Sequence, residues 1–161
     1  MGAGKTTVGK HVAELLEKKF VDMDEMIVAS AGCSINEIFR LKGEPYFREI
    51  ESNVLENISR EDSLVVSTGG GCIESKRNRN LMKDTGDVFF IDTPWSDLLE
   101  RLVLSSDRPL ASAEDGWEHT YKLYENRLPL YHSADFVINA AGKDPEDIAR
   151  EIKSLVVEKY E

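Results

Sequence analysis

Gly2-Ala3-Gly4-Lys5-Thr6-Thr7 opens the chain and runs straight into Val8, Val12, Leu15 and Leu16, apolar residues at helical spacing. Glycines in such a stretch let backbone N–H groups wrap an anion, and the helix start adds the positive end of its dipole. The hexapeptide is therefore expected to be a phosphate-binding loop of the Walker A kind. Lys5 then reaches the β- and γ-phosphates of a nucleotide, and the Thr6 hydroxyl serves a magnesium ion, which prefers hard oxygen ligands. A glycine-rich terminus alone would be merely flexible; the helical pattern behind Gly4-Lys5-Thr6 favours the phosphate loop.

Working outward, Phe20 and Val21 form a short β-prone piece that delivers Asp22-Met23-Asp24 at its end, followed by a helical stretch to Ala31 and Gly32. Carboxylates at a strand end are well placed for ligands. Ser34 to Glu37 fits a capping box, and Pro45 opens a helix whose Phe47, Ile50, Val54 and Ile58 face a core, with Arg48 and Glu51 off that stripe. Ser63 to Thr68 and Val88 to Asp92 are apolar runs suited to buried parallel strands, the first ending in Gly69-Gly70-Gly71. Thr93-Pro94 starts a helix with Leu98, Leu99 and Leu102 inward, whereas residues 105–116 lose periodicity and are expected to be a mobile surface loop. A helix over residues 117–127 is expected to break at Leu128-Pro129; a strand over 136–139 and a helix from Pro145, burying Ile148, Ile152, Leu155 and Val156, complete the chain. Strands alternating with helices imply a parallel sheet covered on both faces.

The 161 residues, 41% hydrophobic and without a low-complexity tract, match one compact domain with a real core. Twenty Lys plus Arg against thirty Asp plus Glu leave a net charge of −10, which argues against a nucleic-acid partner and requires any anionic ligand to be caught by local positive charge. The sequence contains neither a secretory h-region nor an apolar run long enough for a bilayer, so a cytoplasmic protein with no membrane partner is expected. Cys33 and Cys72 show no paired spacing, and His11, His119 and His132 show no metal-ligand pattern.

Asp22-x-Asp24, Phe47-Arg48-x-x-Glu51, Thr68-Gly69-Gly70-Gly71, Arg108-Pro109-Leu110 and Arg127-x-Pro129-Leu130-Tyr131 follow the phosphate loop in order. With these motifs the chain resembles the shikimate kinase family along nearly its whole length. The resemblance implies a P-loop, nucleoside-monophosphate-kinase-like fold with three layers, in which residues 1–161 form one domain. It carries substrate-binding helices at about 24–60 and a lid at about 105–116. It implies transfer of the ATP γ-phosphoryl to the 3-hydroxyl of shikimate, in aromatic amino acid biosynthesis, by a magnesium-dependent and monomeric enzyme.

Residue by residue, Gly2, Ala3, Gly4, Lys5, Thr6 and Thr7 are assigned to ATP, with Arg101, Arg108, Lys143 and Pro145 aligned to nucleotide positions. Thr6 and Asp22 fall to the metal, Asp22 through water. Asp24, Arg48, Gly70, Gly71 and Arg127 fall to the substrate: the arginines to its carboxylate through planar two-point hydrogen bonding, Asp24 to the acceptor hydroxyl. Lys5, Asp24 and the lid residue Arg108 form the catalytic set, since phosphoryl transfer needs alignment and neutralised charge more than a strong base. Arg48 could instead be a helix-surface residue paired with Glu51, and Asp22 and Asp24 two solvated carboxylates. A gluconate kinase-like enzyme and a non-catalytic nucleotide-binding remnant are the alternatives.

The family pattern also has a strand and a further glycine ahead of Gly2, between the strand ending at Gly69 and the one ending at Asp92. Neither is in this sequence; the favoured expectation is that it begins at an internal methionine of a longer chain, the alternative being a shortened protein with a gap in its sheet, which is expected to fold poorly and bind ATP weakly.

Overall fold

The computed structural model describes residues 2–104 and 117–161. From the phosphate-loop turn the chain enters α1 (Lys5–Leu15), then β1 (Lys19–Asp22), α2 (Met23–Ala31), α3 (Ile35–Lys42) and α4 (Glu44–Ile58). β2 (Leu64–Ser67) leads to a single 3₁₀ turn at Cys72–Glu74 and α5 (Lys76–Thr85); β3 (Phe89–Asp92), α6 (Trp95–Leu104), α7 (Glu118–Tyr131), β4 (Phe136–Asn139) and α8 (Pro145–Tyr160) follow. Each strand sits where an apolar run was expected, because side chains buried on both faces leave no room for polar alternation.

The strands form two parallel pairs. β1 runs beside β2 in the register Lys19↔Leu64 to Asp22↔Ser67, and β3 beside β4 from Phe89↔Phe136 to Asp92↔Asn139. Among the described residues no ladder joins β2 to β3. Val88–Ile91 instead line a cavity that also touches Ala3, Lys5 and Thr68–Gly70.

Both faces are covered, and β2 shows how. Leu64 and Val66 pack on a core built from Met23, Ile27, Ile38, Phe47 and Val54, while Val65 points the other way, to Val8, Val12, Ile138, Ile148 and Ile152. The two-residue period of a strand thus divides its side chains between helices α2–α4 on one face and α1 with α8 on the other, a three-layer α/β arrangement. α1 lies close on β1: a Cβ on Gly9 would stand 2.6 Å from Cε2 of Phe20, so only glycine permits that approach. Among the described residues no helix is long and apolar enough to cross a membrane.

Two local expectations are corrected, and one pair of elements is new. Glu51 does not lie off the apolar stripe of α4 but is 1% exposed, because it stands four residues after Phe47 and three before Val54, on the face that packs inward. α7 does not break at Leu128 but continues to Tyr131 with Pro129 inside it. Pro129 removes a donor only near the helix end, and the last turn is held by the Tyr131 hydroxyl, which donates to Gly70 O at 2.6 Å, and by its ring, stacked on Phe90. The 3₁₀ turn and α5 had no counterpart in the periodicity, since Lys76-Arg77-Asn78-Arg79-Asn80 is polar and α5 adds only Leu81 and Met82 to the core. α5 is fixed instead by buried Asn78, whose amide donates to Cys72 O at 3.0 Å.

Candidate active site

Every strand ends on a polar residue: Asp22, Ser67, Asp92 and Asn139. Ligands of open parallel sheets bind outside this carboxyl edge. The phosphate loop reaches it through Thr6, whose hydroxyl donates to Asp22 Oδ2 at 2.9 Å. Gly2 (φ 62°) and Gly4 (φ 75°) adopt left-handed backbone, which a residue with a Cβ enters only under strain. Gly4 caps α1 without a side-chain hydrogen bond, and the start of α1 turns the positive end of its dipole toward this edge. Arg101 Nη1 donates to Gly2 O at 3.0 Å, which brings this α6 residue onto the loop.

Asp22 also caps α2. Its Oδ1 accepts the Asp24 N–H at 2.9 Å, so one carboxylate fixes both Thr6 and the turn that carries Asp24. The Asp24 carboxylate lies against Gly69: a Cβ there would be 3.4 Å from Asp24 Oδ1 and 3.1 Å from Glu51 Oε1. That Glu51 oxygen is buried without a hydrogen-bond partner, and the other, Oε2, accepts Arg48 Nη1 at 2.9 Å. Burial pushes the Glu51 carboxyl above its usual range, against the downward pull of Arg48 and with the help of the Asp24 charge.

Arg48 is gripped twice. Besides Glu51 it donates Nε and Nη2 to Glu44 Oε1 at 3.3 and 3.2 Å. Burial works against its charge, but these carboxylates outweigh it and hold the guanidinium above its ordinary value. A Cβ on Gly71 would fall 2.7 Å from Arg48 Cζ, so the glycine is needed for space rather than for backbone conformation. Arg127 enters from α7, 7% exposed, and donates Nε to Glu74 Oε1 at 2.7 Å; Arg48 Nη2 lies 3.9 Å from the other Glu74 oxygen. Four residues after Arg127, on the same helix face, Tyr131 ties α7 to Gly70. Burial raises the Tyr131 phenol although Arg127 stands beside it.

The structure therefore joins Gly2–Thr6, Asp22, Asp24, Arg48, Gly70, Gly71 and Arg127 along one edge, and a cavity walled by Lys5, Thr68–Gly70, Phe90, Trp95 and Tyr131 opens beside them. Arg48 is paired with Glu51, as its helix-surface alternative also has it, and its guanidinium packs on Gly71 with the side chain 28% exposed. Lys143 is engaged by Glu151 at 2.6 Å, and Pro145 is the first residue of α8, a placement that proline takes for its own reasons. Arg108 and the expected lid lie outside the described residues. Sequence reasoning missed Glu44 and Glu74. Glu44 stands four residues before Arg48 on one helix and was open to an i,i+4 search; Glu74 meets Arg127 across 53 positions and left no local signal.

The sequence matches the family described as shikimate kinase over residues 1–157. A shikimate kinase of Sulfurihydrogenibium sp. (strain YO3AOP1) is 45% identical over 97% of this chain and 93% of its own length. One from Persephonella marina is 41% identical over 94% of this chain and 92% of its own. The solved structure of a shikimate kinase from Acinetobacter baumannii in complex with shikimate superposes with a TM-score of 0.93 at 37% identity, covering 99% of this chain and 90% of that one. With these matches, the P-loop α/β architecture and the site just described, the chain belongs to the shikimate kinase family of phosphotransferases.

Proposed function

We propose that this chain transfers the γ-phosphoryl group of ATP to the 3-hydroxyl of shikimate, yielding shikimate 3-phosphate and ADP. The observation that supports it most is the row of groups along one edge: Thr6 bonded to Asp22, Asp22 to the Asp24 N–H, the Asp24 and Glu51 carboxylates together beside Gly69, Glu51 bonded to Arg48, and Arg127 set beside them by Glu74. Such a row offers an anion cradle at one end and guanidinium groups for a carboxylate at the other, with a carboxylate between them for a hydroxyl.

In this reading Gly2 to Thr7 bind the triphosphate and Lys5 faces its β- and γ-oxygens, while Arg101 braces the loop at Gly2. Arg48 and Arg127 orient the substrate carboxylate, and the Gly70 and Gly71 backbone lets the ring approach closely. Asp24 orients the acceptor hydroxyl and takes its proton late in the transfer. The hard oxygens of Thr6 and, through water, of Asp22 would hold a magnesium ion, which would supply neutralising charge for the transferring phosphoryl group. Arg108 is assigned from sequence alone to the lid and to the same developing charge. Residues 1–161 act as one domain, and the reading extends to a monomeric cytoplasmic enzyme of aromatic amino acid biosynthesis.

The test is ADP release with magnesium-ATP, with and without shikimate. Shikimate-dependent turnover is expected, with Asp24→Asn lowering kcat about 100-fold. Faster turnover on sugar acids or nucleoside monophosphates than on shikimate would overturn the assignment.

A further inference from the structure

Arg127 is a nearly buried cation, its side chain 8% exposed, and a desolvated guanidinium needs an anion. Here Glu74 supplies one. Its Oε1 accepts Arg127 Nε at 2.7 Å while its Oε2 stands 3.9 Å from Arg48 Nη2, so one carboxylate faces both guanidinium groups. The two arginines come from different helices, α7 and α4, and Glu74 comes from a third place, the 3₁₀ turn directly after Gly69–Gly71. Arg48 already has Glu44 and Glu51, so Glu74 is not required to neutralise it. At 39% exposure Glu74 can swing into solvent, which Glu51, 1% exposed, cannot do without unpacking α4.

We propose that Glu74 is the resident counter-ion of the carboxylate-binding arginines, holding them while the site is empty and giving way to the carboxylate of the incoming substrate. It is a positioning and affinity-setting residue, and the inference rests on the assignment of Arg48 and Arg127 to the substrate acid. Two anions competing for one cation pair weaken each other, so Glu74 lowers affinity for the acid. In return it keeps Arg127 from collapsing onto another partner when no substrate is present.

Glu74→Gln keeps an acceptor for Arg127 Nε but drops the charge; Glu74→Ala drops both. Shikimate binding to both variants and to the unaltered chain is measured by calorimetry, beside kcat and the KM values for shikimate and ATP. A ring analogue with a hydroxymethyl group in place of the carboxylate serves as control, and a thermal melt verifies folding. Expected is a dissociation constant for shikimate about fivefold lower in Glu74→Gln, from removal of one nearby like charge, with kcat and KM for ATP unchanged and no gain for the analogue. Glu74→Ala gains less, because Arg127 loses its anchor. Equal or weaker shikimate binding by Glu74→Gln, or an equal gain for the carboxyl-free analogue, would overturn the counter-ion role. Absence of shikimate turnover in the unaltered chain would instead count against the proposed reaction, which the binding measurement does not need.

Discussion

Thr6 and Asp22 are joined by a 2.9 Å hydrogen bond between the first turn of α1 and the end of β1, sixteen residues apart in sequence. Because Asp22 also caps α2 through Asp24 N–H, the metal duty proposed for it and its structural duty can be separated by substitution. Asparagine caps helices as well as aspartate does, so Asp22→Asn is expected to change stability by less than about 1 kcal/mol. Without the charge, kcat/KM for magnesium-ATP falls about 10- to 100-fold and the magnesium requirement shifts upward. Titrating magnesium at fixed ATP, beside a urea melt, separates the two; a variant with an unaltered magnesium curve removes Asp22 from the metal.

Gly71 and Arg48 give a steric prediction. An added Cβ would fall 2.7 Å from Arg48 Cζ, and Arg48 is held by two carboxylates, so the side chain cannot simply step aside. Gly71→Ala is expected to raise KM for shikimate at least tenfold and to destabilise the fold by about 1–3 kcal/mol, with KM for ATP nearly unchanged. Gly142 offers the contrast, since nothing lies within 4 Å of a Cβ there, although its φ of 67° adds backbone strain. Equal KM values for shikimate in Gly71→Ala and the unaltered chain would mean that Arg48 moves freely.

How much of this was legible in sequence depended on how local each signal was. The Gly2–Thr7 stretch, the capping box at Ser34 and Glu37, and the apolar strand runs declare themselves within a few residues, and all appear in the structure at those places. Glu51 was named as the partner of Arg48, yet its burial was missed because a carboxylate does not count as apolar in a periodicity search, although it sits in register with Phe47 and Val54. α5 was silent because its main anchor, Asn78, is polar and bonds a backbone carbonyl. Glu74 was silent for a different reason: its meaning lies wholly in two arginines from other helices.

Glu51 makes stability depend on pH in a direction opposite to that of an ordinary paired carboxylate. Burial raises its folded pKa above the usual 4.5, so over the interval between 4.5 and the folded value the native state holds a proton that the unfolded chain has released. Stability from this group is fully present below 4.5 and is lost as pH rises through the folded pKa. Glu51→Gln, which is always neutral, lacks that slope. Urea unfolding between pH 4.5 and 7 should therefore show the unaltered chain losing stability relative to Glu51→Gln as pH rises. Parallel profiles would mean that Arg48 fully compensates the buried charge. At neutral pH the same variant weakens the grip on Arg48 and raises KM for shikimate.

The separation of β2 from β3 yields the last prediction. Among the described residues no ladder joins β2 to β3, and β3 lines a cavity at Val88–Ile91 that reaches Lys5 and Thr68–Gly70. Val65 on one side and Ile91 on the other already belong to one apolar core, so a strand placed between them would turn alternate side chains into it. Prefixing the chain with an apolar five-residue strand and the glycine that completes the phosphate-loop pattern is expected to add about four buried side chains at roughly 1.5–3 kcal/mol each. The melting temperature should rise by more than about 10 °C, since about 1 kcal/mol shifts a domain of this size by several degrees. Affinity for ATP should rise with it, because the added strand would hold the loop from the side opposite α1. A scrambled polar prefix of equal length controls for chain length. If the apolar prefix changes neither the melt nor ATP binding relative to the scrambled one, the two strand pairs are a stable arrangement in themselves and the cavity at β3 is not a strand site.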